Sequence, residues 1–275
     1  MPTKTKVRNM FDSIAGDYDA LNHILSLDVD KIWRRKALKQ IVDAPAPARV
    51  LDLACGTGDF SIAIAKALSR SHKRVGTPIE AHVKAPAKAP VEAQVTSTGF
   101  VTGDSGRSDL MTKGHVTGVD LSEGMLAVMR EKVAKAGLTE MISIEEGDGE
   151  NLRFPDNTFD RVTIAFGIRN FENREKGLRE MLRVLKPGGR LVILELSRPE
   201  NKVIRWFYDL YFLHILPKIG GKVSGDKAAY AYLPASVAAF PGKKAFMATM
   251  REAGFRTVTH KAFTLGICRM YTGEK

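Results

Sequence analysis

An apolar run that halts at an acidic residue, bends through glycines and resumes as a helix restricts a fold more than any composition figure. "RVLDLACGTGDFS" (49–61) is such a unit. Residues 49–54 have the continuous apolar character of a strand buried on both faces, and 59–68 have the spacing of the helix that follows. The unit then recurs. "HVTGVDLS" (115–122) reads as a strand, with Ser122 as the N-cap of a helix that aligns Met125, Leu126, Met129 and Val133 and stops at Gly137. "MISIEEGD" (141–148) and "FDRVTIAFG" (159–167) are strands, 174–186 is a helix, and "KPGG" turns into the strand "RLVILELS". A last helix, 243–253, stops at Gly254 and leads to two strands, about 255–262 and 265–272. Alternating strands and helices call for a parallel sheet covered on both faces, and a closing strand pair with no helix between calls for an antiparallel edge. The expected fold is α/β: a doubly wound, mostly parallel seven-stranded sheet with an antiparallel C-terminal edge strand.

With 275 residues, 44% of them hydrophobic, the chain has material for one such domain. Residues 1–44 are helical and precede the first strand, and 197–240 interrupt the path to the last helix. Both are expected over the carboxyl ends of the strands, where open α/β sheets take ligands: the first as an N-terminal helical cover, the second as a substrate-covering insertion. Residues 70–113 are rich in Pro, Ala, Gly, Ser and Thr with little apolar periodicity, so a disordered insertion is expected there. Cys55 and Cys268 have no metal-type spacing, which points to a reducing, cytoplasmic setting rather than a disulfide framework. The N-terminus lacks the apolar core of a signal peptide, and no apolar run reaches the roughly 18 residues of a membrane span. The net charge of +11 suits an acidic partner such as nucleic acid or an anionic membrane surface, or simply a basic surface.

The acids around the first turn narrow its ligand. Gly56-Thr57-Gly58 alone is a weak nucleotide signal. Asp52 closes the strand and Asp59 follows the glycines, and neither favours a pyrophosphate. They suit a ligand with positive charge and no phosphate, as S-adenosylmethionine is, with Gly56 and Gly58 allowing close approach of its amino acid end. Asp120 ends the second strand, where a carboxylate accepts both ribose hydroxyls. Asp148 ends the third and can accept from the adenine amino group, while the Gly149 N–H donates to a ring nitrogen. Aspartate is also common at strand ends before helices, which is the plain alternative for each of these positions. None of the six histidines has metal-ligand spacing with another, so no metal is expected.

Four stretches carry a narrower likeness: "YDALNHILSLDVDKIW" (18–33), "FPDNTFDRVTIAFGIRNF" (154–171), "RVLKPGGRLVILELS" (183–197) and "LPKIGGKVSGDKAAYAYLPASVAAFP" (216–241). On these the chain resembles the ubiquinone/menaquinone C-methyltransferase family, over nearly its whole length except 70–113. The resemblance implies a class I S-adenosylmethionine-dependent methyltransferase fold and methyl transfer to a ring carbon of a polyprenylated quinol. In the menaquinone branch that reaction takes demethylmenaquinol to menaquinol; in the ubiquinone branch the acceptor is a benzoquinol. Asp30, Ala54 and Ala165 depart from the family pattern, where His, Gly and, in some members, Ser stand.

An aromatic carbon becomes nucleophilic as the adjacent phenol loses its proton, so a phenol of pKa ~10 needs a base or a cationic neighbourhood. Arg169 in "GIRN" follows the fourth strand and is the candidate for stabilising a phenolate, with Asn170 orienting the same oxygen. The competing reading makes Arg169 a structural ion-pair partner. Asp19, His23 and Asp226 are further polar candidates, Asp19 or Asp226 as a base through water, and Tyr18 could close over the methionine end. "VIRWFYDLYFLHILP" (203–217) is apolar on nearly all sides if helical. Core, a channel for the prenyl tail and a peripheral contact with the inner face of the membrane are all open to it. A small-molecule methyltransferase with another acceptor shares every cofactor feature. An RNA methyltransferase is disfavoured: "AFGIRN" stands where amino-methylating enzymes carry Asn/Asp-Pro-Pro-aromatic, and the basic residues are dispersed, so no nucleic-acid partner is expected.

Overall fold

Among the described residues there are seven strands: β1 (Arg49–Leu53), β2 (His115–Asp120), β3 (Ile142–Glu146), β4 (Phe159–Ala165), β5 (Leu185–Leu196), β6 (Arg256–Phe263) and β7 (Cys268–Glu274). They form one sheet in the order β3-β2-β1-β4-β5-β7-β6. The structure is a computed structural model that describes residues 3–16, 18–19, 28–44, 48–75, 114–211 and 227–275. β1 to β5 are parallel, and β7 runs antiparallel to both β5 and β6. The antiparallel pair is at the edge, as the missing helix between its strands requires; the C-terminal strand takes the slot beside β5 and β6 lies outermost.

The α-helices among the described residues are α1 (Lys4–Ile14), α2 (Val29–Ile41), α3 (Asp59–Val75), α4 (Glu123–Lys135), α5 (Arg174–Val184), α6 (Lys202–Leu210), α7 (Lys227–Ala238) and α8 (Lys243–Glu252). Ser122 caps α4, its side chain accepting from the Met125 N–H, and Asn173 caps α5 from Lys176 in the same way. α5 ends at Val184, two residues before the expected 186, and "KPGG" is part of β5 rather than a turn before it. Lys186 precedes Pro187, whose ring excludes helical geometry for the residue before it and whose nitrogen has no proton to donate. The pairing of β4 with β5 slips at this point, between Phe159 and Arg161.

Alternation along the central strands divides the core. Val50, Val192 and Leu194 pack with Trp33, Ala37 and Ile41 of α2, Ile64 of α3 and Met129 of α4. Leu51, Leu53, Leu191 and Ile193 point the other way, onto Leu178 and Met181 of α5 and Phe246 of α8. Each fully buried aliphatic side chain contributes roughly 1.5–3 kcal/mol, and both faces of β1 and β5 have them. The helices of residues 1–44 therefore occupy different places: α2 is a core layer on one sheet face, whereas α1 lies at the carboxyl end of the sheet. The expected insertion falls mostly on 76–113, outside the described residues, as do His23, Asp226 and 212–217 of the apolar run.

Candidate active site

Strand order reverses between β1 and β4, so the chain leaves their carboxyl ends in opposite directions and opens a crevice. A cleft lies there, lined by Gly56, Asp120, Asp148, Gly149 and Asn170, with Leu121, Met125 and Phe171 as apolar walls. A second cleft shares Tyr18, Ala54, Gly56 and Ala165 with it and includes Asp19, Asp52, Thr57 and Asp59. Of the residues the sequence assigns to the cofactor, Gly58 lines neither of these clefts. Both glycines of the turn have positive φ, Gly56 at 56° and Gly58 at 83°. A Cβ on Gly56 would meet nothing nearer than Tyr18 at 3.9 Å, whereas one on Gly58 would lie 2.4 Å from Met129 Cγ. Gly56 borders open space; Gly58 leaves room for α4.

The strand-end acids are held by backbone donors. Asp120 Oδ2 accepts from the Gly56 N–H at 2.8 Å and Oδ1 from the Ser122 N–H at 2.9 Å. Burial raises its carboxyl above the usual range, against the pull of these donors. Asp52, 1% exposed, accepts from the Ser61 hydroxyl at 2.5 Å through Oδ2, while its buried Oδ1 has no hydrogen-bond partner among the described residues. Burial pushes Asp52 up to about 7, with Ser61 and Arg34 acting the other way. Asp59 is not an unopposed negative charge at the turn: Lys132 and Arg34 both pair with it. Lys132 also holds Asp19 at 2.6 Å, and the Thr57 hydroxyl donates to Asp19 at 2.5 Å.

α1 covers the far end of the cleft. Lys4 Nζ bridges Asp148 Oδ2 at 2.6 Å and Glu150 Oε2 at 2.9 Å. Asp12 accepts from the Ser122 hydroxyl at 2.5 Å and the Gly124 N–H at 3.1 Å, tying α1 to the start of α4. Gly149 is needed beneath this cover, because a Cβ there would meet Phe171 Cζ at 2.6 Å.

Arg169 and Asn170 end the 3-10 turn Ile168–Asn170 after β4. Arg169 is 8% exposed and does not line the cleft. Its Nη1 donates to Glu195 Oε1 at 2.8 Å and to the Phe166 carbonyl, and its Nε to Ser236 Oγ at 3.3 Å. The backbone N–H of Arg169 donates to the other Glu195 oxygen at 3.1 Å. Burial opposes the guanidinium charge, but Glu195 holds it above its ordinary value. Asn170 does line the cleft, and its Oδ1 accepts from the Tyr232 hydroxyl of α7 at 2.8 Å. Glu195, Tyr232, Lys4 and Asp12 were not among the sequence candidates. A carboxylate inside the run "LVILELS" was the one available signal for a buried charge pair.

Of the three departures, Asp30 is buried on α2 and paired with Arg34 at 3.4 Å. Ala165 lines both clefts. Ala54 sits at φ 48°, in the left-handed region that glycine adopts without cost.

A family model described as the ubiE/COQ5 methyltransferase family matches residues 2–275. A ubiquinone/menaquinone biosynthesis C-methyltransferase UbiE of Geobacter sulfurreducens is 44% identical over 270 residues, covering 98% of this chain and 88% of that one. Demethylmenaquinone methyltransferases of Bacteroides fragilis and Deinococcus radiodurans are 39% and 42% identical, each covering 98% of this chain and 92% of theirs. Among solved structures, a SAM-dependent methyltransferase from Aquifex aeolicus superposes with a TM-score of 0.52 at 19% identity, covering 87% of this chain and 88% of its own. The [4+2]-cyclase SpnF does so with a TM-score of 0.64 at 16% identity, covering 100% and 97%. These two likenesses concern the fold, which is that of the class I methyltransferases; a cyclase on the same fold shows that chemistry has to be argued from the site. Matched from residue 2 to residue 275 and with full-length relatives above 35% identity, the chain belongs to the ubiE/COQ5 methyltransferase family.

Proposed function

We propose that the protein transfers a methyl group from S-adenosylmethionine to a ring carbon of a polyprenylated quinol, with demethylmenaquinol as the acceptor. The observation that carries this reading is the cleft itself, which Gly56, Asp120, Asp148 and Asn170 line together. The chain's own groups fit the methyl donor. Gly56 offers open space at the methionine end, where the unpartnered Oδ1 of Asp52 suits an ammonium. Asp120 is held at the end of β2 for the ribose, and Asp148 and Gly149 stand at the adenine end. When bound, S-adenosylmethionine supplies the methyl group as an electrophilic sulfonium, and displacement from it mainly needs alignment.

The acceptor side rests on Asn170. With its Oδ1 occupied by the Tyr232 hydroxyl, the amide has its N–H donors left for the cleft. A phenol oxygen that has given its proton to solvent water accepts from such a donor, the electron density released makes the ring carbon nucleophilic, and the ring proton leaves to water once the methyl is bound. Arg169 lies behind this residue with its charge compensated by Glu195, so it serves by fixing the turn that presents Asn170. Asp19, paired with Lys132 and Thr57, is anchored rather than poised to take a proton.

The names of the Bacteroides and Deinococcus relatives support the menaquinone branch. The Geobacter relative's name also includes ubiquinone, which keeps a benzoquinol as the second reading. Labelled S-adenosylmethionine offered with demethylmenaquinol, a benzoquinol precursor and RNA in parallel tests both. Label is expected in the naphthoquinol; label in RNA and in neither quinol would refute the proposal.

A further inference from the structure

The outer face of α6 has no place in the site. Val203, Trp206, Phe207 and Leu210 fall at positions i, i+3, i+4 and i+7, which is one stripe of a helix. They are 66%, 61%, 60% and 39% exposed, where large apolar side chains are ordinarily covered. Trp206 and Phe207 stack edge to face at 4.9 Å, so the two rings form one apolar surface. The opposite face is anchored: Tyr208 is buried close enough to feel the Arg169 charge, and Arg198 ties Asp209 to the preceding loop. α6 thus backs onto the acceptor side of the site and turns its apolar stripe outward.

Charge selects the occupant. Asp209 is neutralised by Arg198, and Glu200 by Lys243 and Arg269. Lys202 is exposed, Arg205 donates to the Pro199 and Glu200 carbonyls, and neither has a carboxylate partner among the described residues. The stripe is therefore accompanied by net positive charge on a chain of +11. A second copy would bring like charge to the same contact, whereas an anionic lipid surface meets it with opposite charge and takes Trp and Phe at the headgroup boundary. Over its described residues α6 has 9, and among the described residues no helix is long and apolar enough to cross a membrane, so the contact argued for is one within the interface.

We infer that α6 docks the protein on an anionic lipid bilayer through Val203, Trp206, Phe207 and Leu210, with Lys202 and Arg205 meeting the headgroups. The benefit to catalysis rests on the quinol proposal, since a prenylated acceptor dissolves in that bilayer; the docking does not. The full chain, without substrate, is mixed at low salt with vesicles of phosphatidylcholine alone or with added phosphatidylglycerol. Co-sedimentation is expected with the anionic vesicles and to fall with salt. The chain has two tryptophans, and Trp33 is buried, so a blue shift of emission on binding reports Trp206. Trp206→Ser with Phe207→Ser should weaken vesicle binding by about tenfold or more, because two large aromatics no longer leave water. Lys202→Glu should weaken binding to the anionic vesicles alone. The double variant should keep its melting temperature, its cofactor affinity and its turnover of a detergent-dispersed short-tailed quinol.

Absence of vesicle binding, an unshifted emission or equal binding by the double variant would overturn the inference. So would a wild-type dimer that the double variant dissolves, which assigns the stripe to a second copy. A double variant that melts several degrees lower assigns it to this chain's own residues 212–226 and overturns it too. Vesicle binding without quinol turnover would leave the docking standing and remove the quinol proposal; turnover of the short-tailed quinol without vesicle binding would do the reverse.

Discussion

Arg169→Met separates a guanidinium that acts on the acceptor from one that holds a turn in place. Glu195 is 0% exposed, and the Arg169 guanidinium at 2.8 Å is its counter-charge. Without it the carboxylate has the backbone N–H groups of Arg169 at 3.1 Å and Leu196 at 2.8 Å, and among the described residues only the charge of Arg174 nearby, which is not bonded to it. Removing one partner of a buried pair costs about 3–5 kcal/mol. Against a total stability of roughly 5–15 kcal/mol, this lowers the melting temperature by roughly 10 °C. Glu195→Gln alone strands the guanidinium and is expected to cost a similar amount. Arg169→Met combined with Glu195→Gln removes both charges together, and at least half of the loss should return. Calorimetry of the four proteins without ligand measures the cycle, and labelled methyl transfer on the same samples measures function. If Arg169 acts through Asn170, the double variant recovers turnover to within about tenfold of wild type as its stability returns. A single variant that loses less than about 1 kcal/mol would refute the buried-pair argument. A double variant that regains stability but stays about a hundredfold or more slow would refute the positioning role and return Arg169 to the acceptor as a catalytic cation.

Asp52 keeps a proton in the folded protein up to about pH 7 that the unfolded chain releases near its ordinary value of 3.8. Its contribution therefore lowers stability as pH rises across that window, by on the order of 2–4 kcal/mol, and Asp52→Asn should stabilise the ligand-free protein at pH 8 but hardly at pH 4. Thermal unfolding across that range checks the sign, and a pH-independent difference would count against it. Tyr232→Phe frees the Asn170 amide to rotate; kcat should fall about tenfold with cofactor affinity unchanged, and equal losses in both would make Tyr232 merely structural. Ala54→Gly relieves a left-handed alanine and should raise stability by about 0.5–1 kcal/mol, while a lower melting temperature would show that the strain is not there.

The strands, the helices and the doubly wound sheet were legible because hydrophobic periodicity relates residues that are near in the chain. That Asp120, Asp148 and Gly56 line one cleft was legible for a related reason: the end of a strand is a local event, and in an open α/β sheet the crevice lies at those ends. What a charge does once there is not local. Asp59 reads as an open acid until Lys132 and Arg34 pack onto it, and Arg169 reads as a free cation until Glu195, 26 residues away, folds against it. Gly58 reads as ligand clearance and is used instead by Met129. Val203, Trp206, Phe207 and Leu210 have a helical period that is visible in the sequence, but the period does not say whether that stripe of α6 faces the core or turns outward. Packing makes that choice, because burial and Coulomb attraction depend on distances through space that only the assembled sheet and its cover of helices establish.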